Sequence, residues 1–180
     1  MKGVIFTEFL QMVETVQSPD LVDELIDSVD LPSGGAYTAV GTYDHAEIVA
    51  LVTELSQRTG IPVPDLLSAF GEFLFGRFVE LYPSFFEGQD DPMDFLSSIE
   101  DVIHAEVLKL YPDAQLPRID AERHGDDELE LVYRSPRRMG DVAEGLCRGA
   151  LTHFGVTDTM TMRREDVEGD DPHVRFTLTR

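Results

Sequence analysis

Residues 118–134 read RIDAERHGDDELELVYR, and they mark a change from helical to strand periodicity in the sequence. In the second half of this segment three apolar residues alternate with polar ones: Leu129, Leu131 and Tyr133. Such alternation is typical of a half-buried strand, and the turn-forming run 124–127 predicts a β-hairpin. Two later runs, 157–166 and 173–179, alternate in the same way and predict two further strands.

Helical periodicity dominates the chain before this hairpin. Helices are predicted at residues 3–16, 19–29, 45–59, 64–81 and 95–111, with a loop at 31–43. One more helix, 139–154, lies between the hairpin and the last two strands. Helices followed by strands with one inserted helix indicate the α+β class. We expect one domain over residues 1–180, with a helical lobe at 1–62 packed on a mixed helix and antiparallel-sheet lobe at 63–180.

The charge balance excludes several classes of partner. The 180 residues include 35 acidic and 14 basic side chains, a formal net charge of −21, and only Lys2 and Lys109 are lysines. Such a surface repels nucleic acid and anionic membranes. We find no apolar run of the ~20 residues that a transmembrane helix needs, and no signal peptide, so we expect a cytoplasmic protein. The lysine-poor, acidic composition also suggests a salt-adapted host.

The sequence lacks the usual motifs of catalysis. It has no glycine-rich phosphate loop, no His-Glu-x-x-His zinc motif and no serine nucleophile elbow. The single cysteine, Cys147, has apolar neighbours and is predicted to be a small core residue. We therefore predict no catalytic residues.

His104 is the histidine with the most apolar surroundings, since it lies within a predicted helix beside Val107 and Leu108. Taken alone, a core histidine with a satisfied hydrogen bond is favoured over a metal ligand. Tyr133, Ser135 and Arg137 form the second candidate, a donor set suited to carboxylates. The alternative interpretation of these three residues is an ordinary strand end with an exposed arginine. Arg138 is expected to be such an exposed arginine.

Together, these two features are what a haem requires. An imidazole binds the iron from one face, hydrogen-bond donors neutralise the two propionates, and apolar helices enclose the macrocycle.

The sequence resembles the haem–nitric oxide/oxygen binding (H-NOX) family, which is related to the haem domain of soluble guanylate cyclase. The matching stretches run over nearly the whole chain: Met1-Lys2-Gly3 with Ile5, Tyr82-Pro83-Ser84-Phe85, Asp101-Val102-Ile103-His104 with Lys109-Leu110-Tyr111, Leu116-Pro117-Arg118, Tyr133-x-Ser135-x-Arg137 and Ala143-Glu144-Gly145-Leu146. The resemblance implies haem b as the cofactor, His104 as the iron ligand, and Tyr133, Ser135 and Arg137 as the propionate contacts.

The resemblance also implies which residues line the haem. Ile5 and Pro117 match positions that press on the porphyrin from opposite sides. Members that bind oxygen carry polar distal residues where this chain has three apolar ones: Phe9, Leu74 and Val142. Phe78 and Leu146 are expected to complete the apolar lining.

The apolar residues at these three distal positions predict a nitric oxide sensor without catalytic activity, with carbon monoxide as a second candidate ligand. Bound oxygen needs a hydrogen-bond donor and nitric oxide does not. Since the sequence continues into no effector domain after Arg180, we expect the signal to pass to a separate protein, such as a histidine kinase or a cyclic-di-GMP enzyme. The alternatives are a peroxidase-like haem enzyme, which needs a distal acid–base residue, and a haem-free partner-binding domain.

Overall fold

The computed structural model describes residues 1–180 and confirms the α+β class. The helices are α1 (Gly3–Val16), α2 (Pro19–Ser28), α3 (His45–Thr59), α4 (Val63–Leu81), α5 (Pro92–Ser97), α6 (Ala105–Leu110) and α7 (Gly140–His153). A 3₁₀ turn at Pro83–Phe85 follows α4, and a π-helix at Ile99–His104 lies between α5 and α6. The strands are β1 (Arg118–His124), β2 (Glu128–Arg134), β3 (Thr161–Val167) and β4 (His173–Thr179). No helix is both long and apolar enough to cross a membrane.

Local capping signals set several of the helix ends. The Ser18 hydroxyl accepts a hydrogen bond from the Leu21 N–H at 3.2 Å and starts α2. The Asp44 carboxylate accepts one from the Ala46 N–H at 3.0 Å and starts α3. Gly60 ends α3 in the left-handed region, with φ of 72°.

The predicted helix 95–111 differs from the structure at its start and in its middle. It begins at Pro92, because the Asp91 carboxylate caps the N–H groups of Met93 and Asp94. It then widens into the π-helix that ends at His104. A π-helical turn shifts the hydrogen-bond register by one residue, and the apolar spacing used for the prediction does not report this shift.

The four strands form one antiparallel sheet in the order β1-β2-β4-β3. Ile119 of β1 lies opposite Tyr133 of β2, and Tyr133 lies opposite Val174 of β4. Strand β3 begins at Thr161, later than predicted, because the N–H groups of Thr159 and Met160 turn back to the Val156 carbonyl.

Helix α4 contributes to both hydrophobic clusters of the protein. Leu66, Phe70 and Leu74 belong to the cluster formed mainly by α1 to α3, and Phe75 belongs to the cluster against the sheet. Helices α4 and α7 pack with their backbones in contact, since a Cβ on Gly145 would lie 2.0 Å from the Ser68 carbonyl oxygen. This close packing brings α7 side chains against the first of these clusters, which we call the α1–α4 cluster because α4 also contributes to it.

Candidate functional site

His104 is the last residue of the π-helix, and its side chain is 13% exposed. Its Nδ1 lies 2.9 Å from the Glu100 Oε2. Because a carboxylate only accepts hydrogen bonds, Nδ1 carries the proton and donates it. Nε2 makes no hydrogen bond within the protein. With the proton on Nδ1, the neutral form of the ring has an unprotonated Nε2, which is the form of imidazole that binds a metal.

Glu100 connects His104 to the sheet. Its Oε2 also accepts a hydrogen bond from the Ile119 N–H at 3.1 Å. Since Ile119 is the strand partner of Tyr133, one chain of contacts joins the histidine to the predicted propionate motif. Glu100 was not predicted as a site residue from the sequence, although its position one turn before His104 indicates a contact with that histidine.

The Tyr133, Ser135 and Arg137 side chains lie together where β2 ends. The Ser135 Oγ accepts a hydrogen bond from the Arg137 N–H at 3.2 Å. Burial raises the pKa of Tyr133, although the Ser135 side chain and the Met139 backbone oppose that rise. Tyr133 is thus a neutral phenol at physiological pH and a potential donor.

Arg137 has neutral hydrogen-bond partners. Its Nη1 donates to the Gln115 carbonyl oxygen at 2.7 Å, and its Nη2 donates to the Gln115 Oε1 at 2.9 Å. All the other arginines except Arg138 and Arg163 pair with carboxylates. The Arg137 charge is therefore available to an anionic ligand. Nothing in the sequence pointed to Gln115.

Pro117 lies on the segment between the contact with Arg137 and the contact with Glu100. Gln115, two residues before it, binds Arg137, and Ile119, two residues after it, binds Glu100. Pro117 itself is half-buried. Its segment is therefore held at both ends, one end beside the motif and the other beside His104.

The structure brings together the six residues predicted to line the apolar side of the site. Phe9, Leu74 and Val142 are buried in the α1–α4 cluster. The other three are partly buried and pack against it: Ile5, Phe78 and Leu146. Leu146 also packs against the cluster at the sheet, so it lies where the two clusters meet.

Glu8 of α1 and Arg77 of α4 form a charged pair that was not predicted from the sequence. Glu8 is 7% exposed, and its Oε2 accepts a hydrogen bond from the Arg77 Nε at 2.6 Å. Arg77 also pairs with Glu80. Glu8 precedes Phe9, and Arg77 precedes Phe78. The two carboxylates engage the guanidinium through its Nε and Nη1.

The residues present fit a haem. His104 offers a free imidazole nitrogen, Arg137 offers a cation without a carboxylate, and helices α1, α4 and α7 offer an apolar cluster. No group of three or more His, Cys, Asp and Glu side chains converges as a metal site, so iron at His104 would depend on a macrocycle for its other ligands.

Comparison with known proteins identifies the family. A family described as Haem-NO-binding matches residues 2–162. The chain therefore belongs to the H-NOX family of haem-based gas-sensor domains. A comparison with curated proteins gave no match.

Solved H-NOX structures share the whole fold. The unliganded Fe(II) protein from K. algicida is 36% identical, with a TM-score of 0.90 over 99% of this chain and 96% of its own. The S. oneidensis protein in the Fe(II)NO state is 30% identical, with a TM-score of 0.88 over 100% of both chains. The Shewanella woodyi protein, bound to IWP-051 in the Fe(II)CO state, is 37% identical, with a TM-score of 0.84 over 100% of this chain and 94% of its own.

Proposed function

We propose that this protein binds haem b through His104 and senses nitric oxide at the ferrous iron. The observation that carries the proposal is the His104 ring, whose Nδ1 is held by Glu100 and whose Nε2 has no partner in the protein. Tyr133, Ser135 and Arg137 would hold the propionates, with Arg137 contributing the charge.

The apolar residues select the gas in this proposal. When bound, the haem would supply a ferrous iron that takes a diatomic gas. Phe9, Leu74 and Val142 carry no hydrogen-bond donor for a bound oxygen molecule, whereas nitric oxide binds ferrous iron without one. The relatives in Fe(II)NO and Fe(II)CO states support nitric oxide, with carbon monoxide as a second ligand.

The signal begins at His104. Nitric oxide bound to the haem would displace His104 from the iron, and the helix that carries His104 would lose one point of attachment. Ile5 and Pro117, which would contact the macrocycle, would transmit this change to the lobe of residues 1–62, which would shift relative to residues 63–180. A ligand that favours one of two conformations is the requirement for such a switch. A partner protein, such as a histidine kinase or a cyclic-di-GMP enzyme, would bind the surface that changes, which is formed by α1, α2 and the outer face of the His104 helix.

Replacement of His104 by glycine tests the proposal. We expect His104→Gly to lose most of its haem during expression, because the iron loses its one protein ligand. Imidazole added to the growth medium should restore binding by supplying the missing nitrogen. The measurement is the Soret absorption per protein chain, and a wild-type protein without a Soret band would identify a haem-free domain.

His124→Gly is the control, since it removes an exposed imidazole at the hairpin turn. It should keep the wild-type spectrum. A normal five-coordinate ferrous spectrum in His104→Gly without imidazole would overturn the assignment.

A further inference from the structure

We propose that Glu100 is a positioning residue for the iron ligand and that it strengthens the bond between His104 and the iron. This inference rests on the proposed function, because it takes His104 Nε2 as the ligand atom. Its carboxylate would orient the ring, increase the basicity of Nε2 and so oppose the release of His104 by nitric oxide.

Two hydrogen bonds on one oxygen carry the proposal. Glu100 Oε2 accepts from His104 Nδ1 at 2.9 Å and from the Ile119 N–H at 3.1 Å. The first donor lies one turn further along the same helix, and the second lies in β1. The imidazole is therefore oriented relative to the sheet as well as to its own helix.

The location of Glu100 keeps its charge available to the ring. The side chain is 41% exposed, so water solvates the rest of the carboxylate, while the His104 side chain is only 13% exposed. Arg118 is close enough for the Glu100 charge to contribute to its raised pKa, but Arg118 pairs with Asp120. Of the polar side chains near Glu100, that of His104 is thus the closest to Oε2.

A carboxylate on Nδ1–H changes the donor strength of Nε2. As the proton is drawn toward Oε2, the ring gains imidazolate character and becomes a stronger ligand. A stronger, more negative ligand favours ferric over ferrous iron, so it lowers the reduction potential. It also makes the bond opposite nitric oxide harder to break.

A purely structural role for Glu100 predicts different results. If the carboxylate only satisfies the Ile119 N–H, its removal would lower stability and leave the iron–histidine bond unchanged. The stretching frequency of that bond and the reduction potential separate these roles, because both report ligand strength and not folding.

We would compare the haem-loaded wild type with Glu100→Ala, Glu100→Gln and the control Glu106→Gln. Glu106 carries the same charge a few residues away, and it pairs with Lys109 near the surface. The measurements are the iron–histidine stretching frequency of the ferrous protein, the reduction potential and the ratio of five- to six-coordinate iron after nitric oxide is added.

For Glu100→Ala we expect a lower stretching frequency, a more positive potential and a ratio shifted toward five-coordinate iron by about 10-fold or more, the size typical of a lost outer-shell partner. Glu100→Gln keeps an acceptor of the same length without the charge, so its values should lie between those of Glu100→Ala and the wild type. Glu106→Gln should match the wild type.

Unchanged frequency and potential in Glu100→Ala would overturn the proposal, as would equal shifts in Glu106→Gln, which would indicate a general effect of charge. If Glu100→Ala does not fold, Glu100→Gln decides, since wild-type frequency and potential in that variant would contradict a contribution from the charge. Failure of the proposed function is a separate outcome, because the wild type would then lack a Soret band or His104→Gly would retain haem.

Discussion

At the scale of single residues, Arg137 is one of three arginines without a carboxylate partner in a chain of net charge −21, and its guanidinium donates to Gln115 instead. We expect Arg137→Ala to weaken haem retention by about 1.5–3 kcal/mol, the contribution typical of hydrogen bonds to charged groups. The haem off-rate, measured by transfer to apomyoglobin, gives the comparison.

Arg138→Ala is the matched control. Arg138 also forms no ion pair, but its side chain is exposed and its backbone turns through a positive φ of 49°. Equal haem off-rates for the two variants would show that the motif does not bind propionates.

The Glu8–Arg77 pair decides whether the apolar side of the site contains a free donor. Because Glu8 and Glu80 hold Arg77, and because Phe9, Leu74 and Val142 carry no hydrogen-bond donor, we expect no stable complex with oxygen. The reduced protein mixed with air should show only slow oxidation in its absorption spectrum.

The variant Arg77→Met tests whether Arg77 could donate a hydrogen bond to bound oxygen. If the wild type did form a lasting oxygen complex that Arg77→Met could not form, Arg77 would be the donor, and the prediction of gas selectivity would be wrong.

At the scale of secondary structure, the segment that carries His104 is weakly packed. Helix α5 has four buried residues, Pro92, Met93, Phe95 and Leu96, whereas the π-helix and α6 have none. Few buried contacts favour local opening. Attachment of His104 to iron would therefore be a large part of what holds residues 99–110 in place.

We expect nitric oxide to increase hydrogen exchange in residues 95–111, most strongly at 99–110, as measured by mass spectrometry. His104→Gly loaded with haem and imidazole is the control, because its helix is not attached to the iron and should show no change. Unchanged exchange in the wild type, together with six-coordinate iron at every nitric oxide concentration, would contradict the release mechanism.

At the scale of the whole molecule, Lys2 joins distant parts of the chain. Its Nζ lies 3.1 Å from the Thr42 Oγ1, 3.2 Å from the Asp113 Oδ1 and 4.8 Å from the centroid of the Tyr111 ring. The side chain is only 14% exposed. The start of α1 is thereby tied to the segment that follows α6.

We expect Lys2→Met to lower the melting temperature clearly, because it removes three contacts of a nearly buried ammonium group. Lys109→Met removes the same charge from an exposed pair with Glu106 and should change the melting temperature little. Thermal unfolding followed by circular dichroism compares the two, and equal melting temperatures would show that the Lys2 contacts do not stabilise the fold.

The sequence by itself determined the features that depend on a few neighbouring residues. The helical periodicities and the alternation of the 118–134 hairpin predicted the α+β class and most of the elements, and the caps at Ser18 and Asp44 and the stop at Gly60 are equally local, because each signal acts within one or two turns. The spacing of Tyr133, Ser135 and Arg137, and the apolar surroundings of His104, were likewise local enough to identify as candidates.

Only the tertiary structure decided which of these groups have partners. Glu100 reaches Ile119, Gln115 holds Arg137, and Glu8 holds Arg77, each across a sequence separation that no periodicity encodes. The π-helix at His104 is likewise absent from the apolar pattern. Such contacts depend on how the helices and the sheet pack together, because hydrogen bonds and ion pairs form wherever packing brings a donor and an acceptor within about 3 Å.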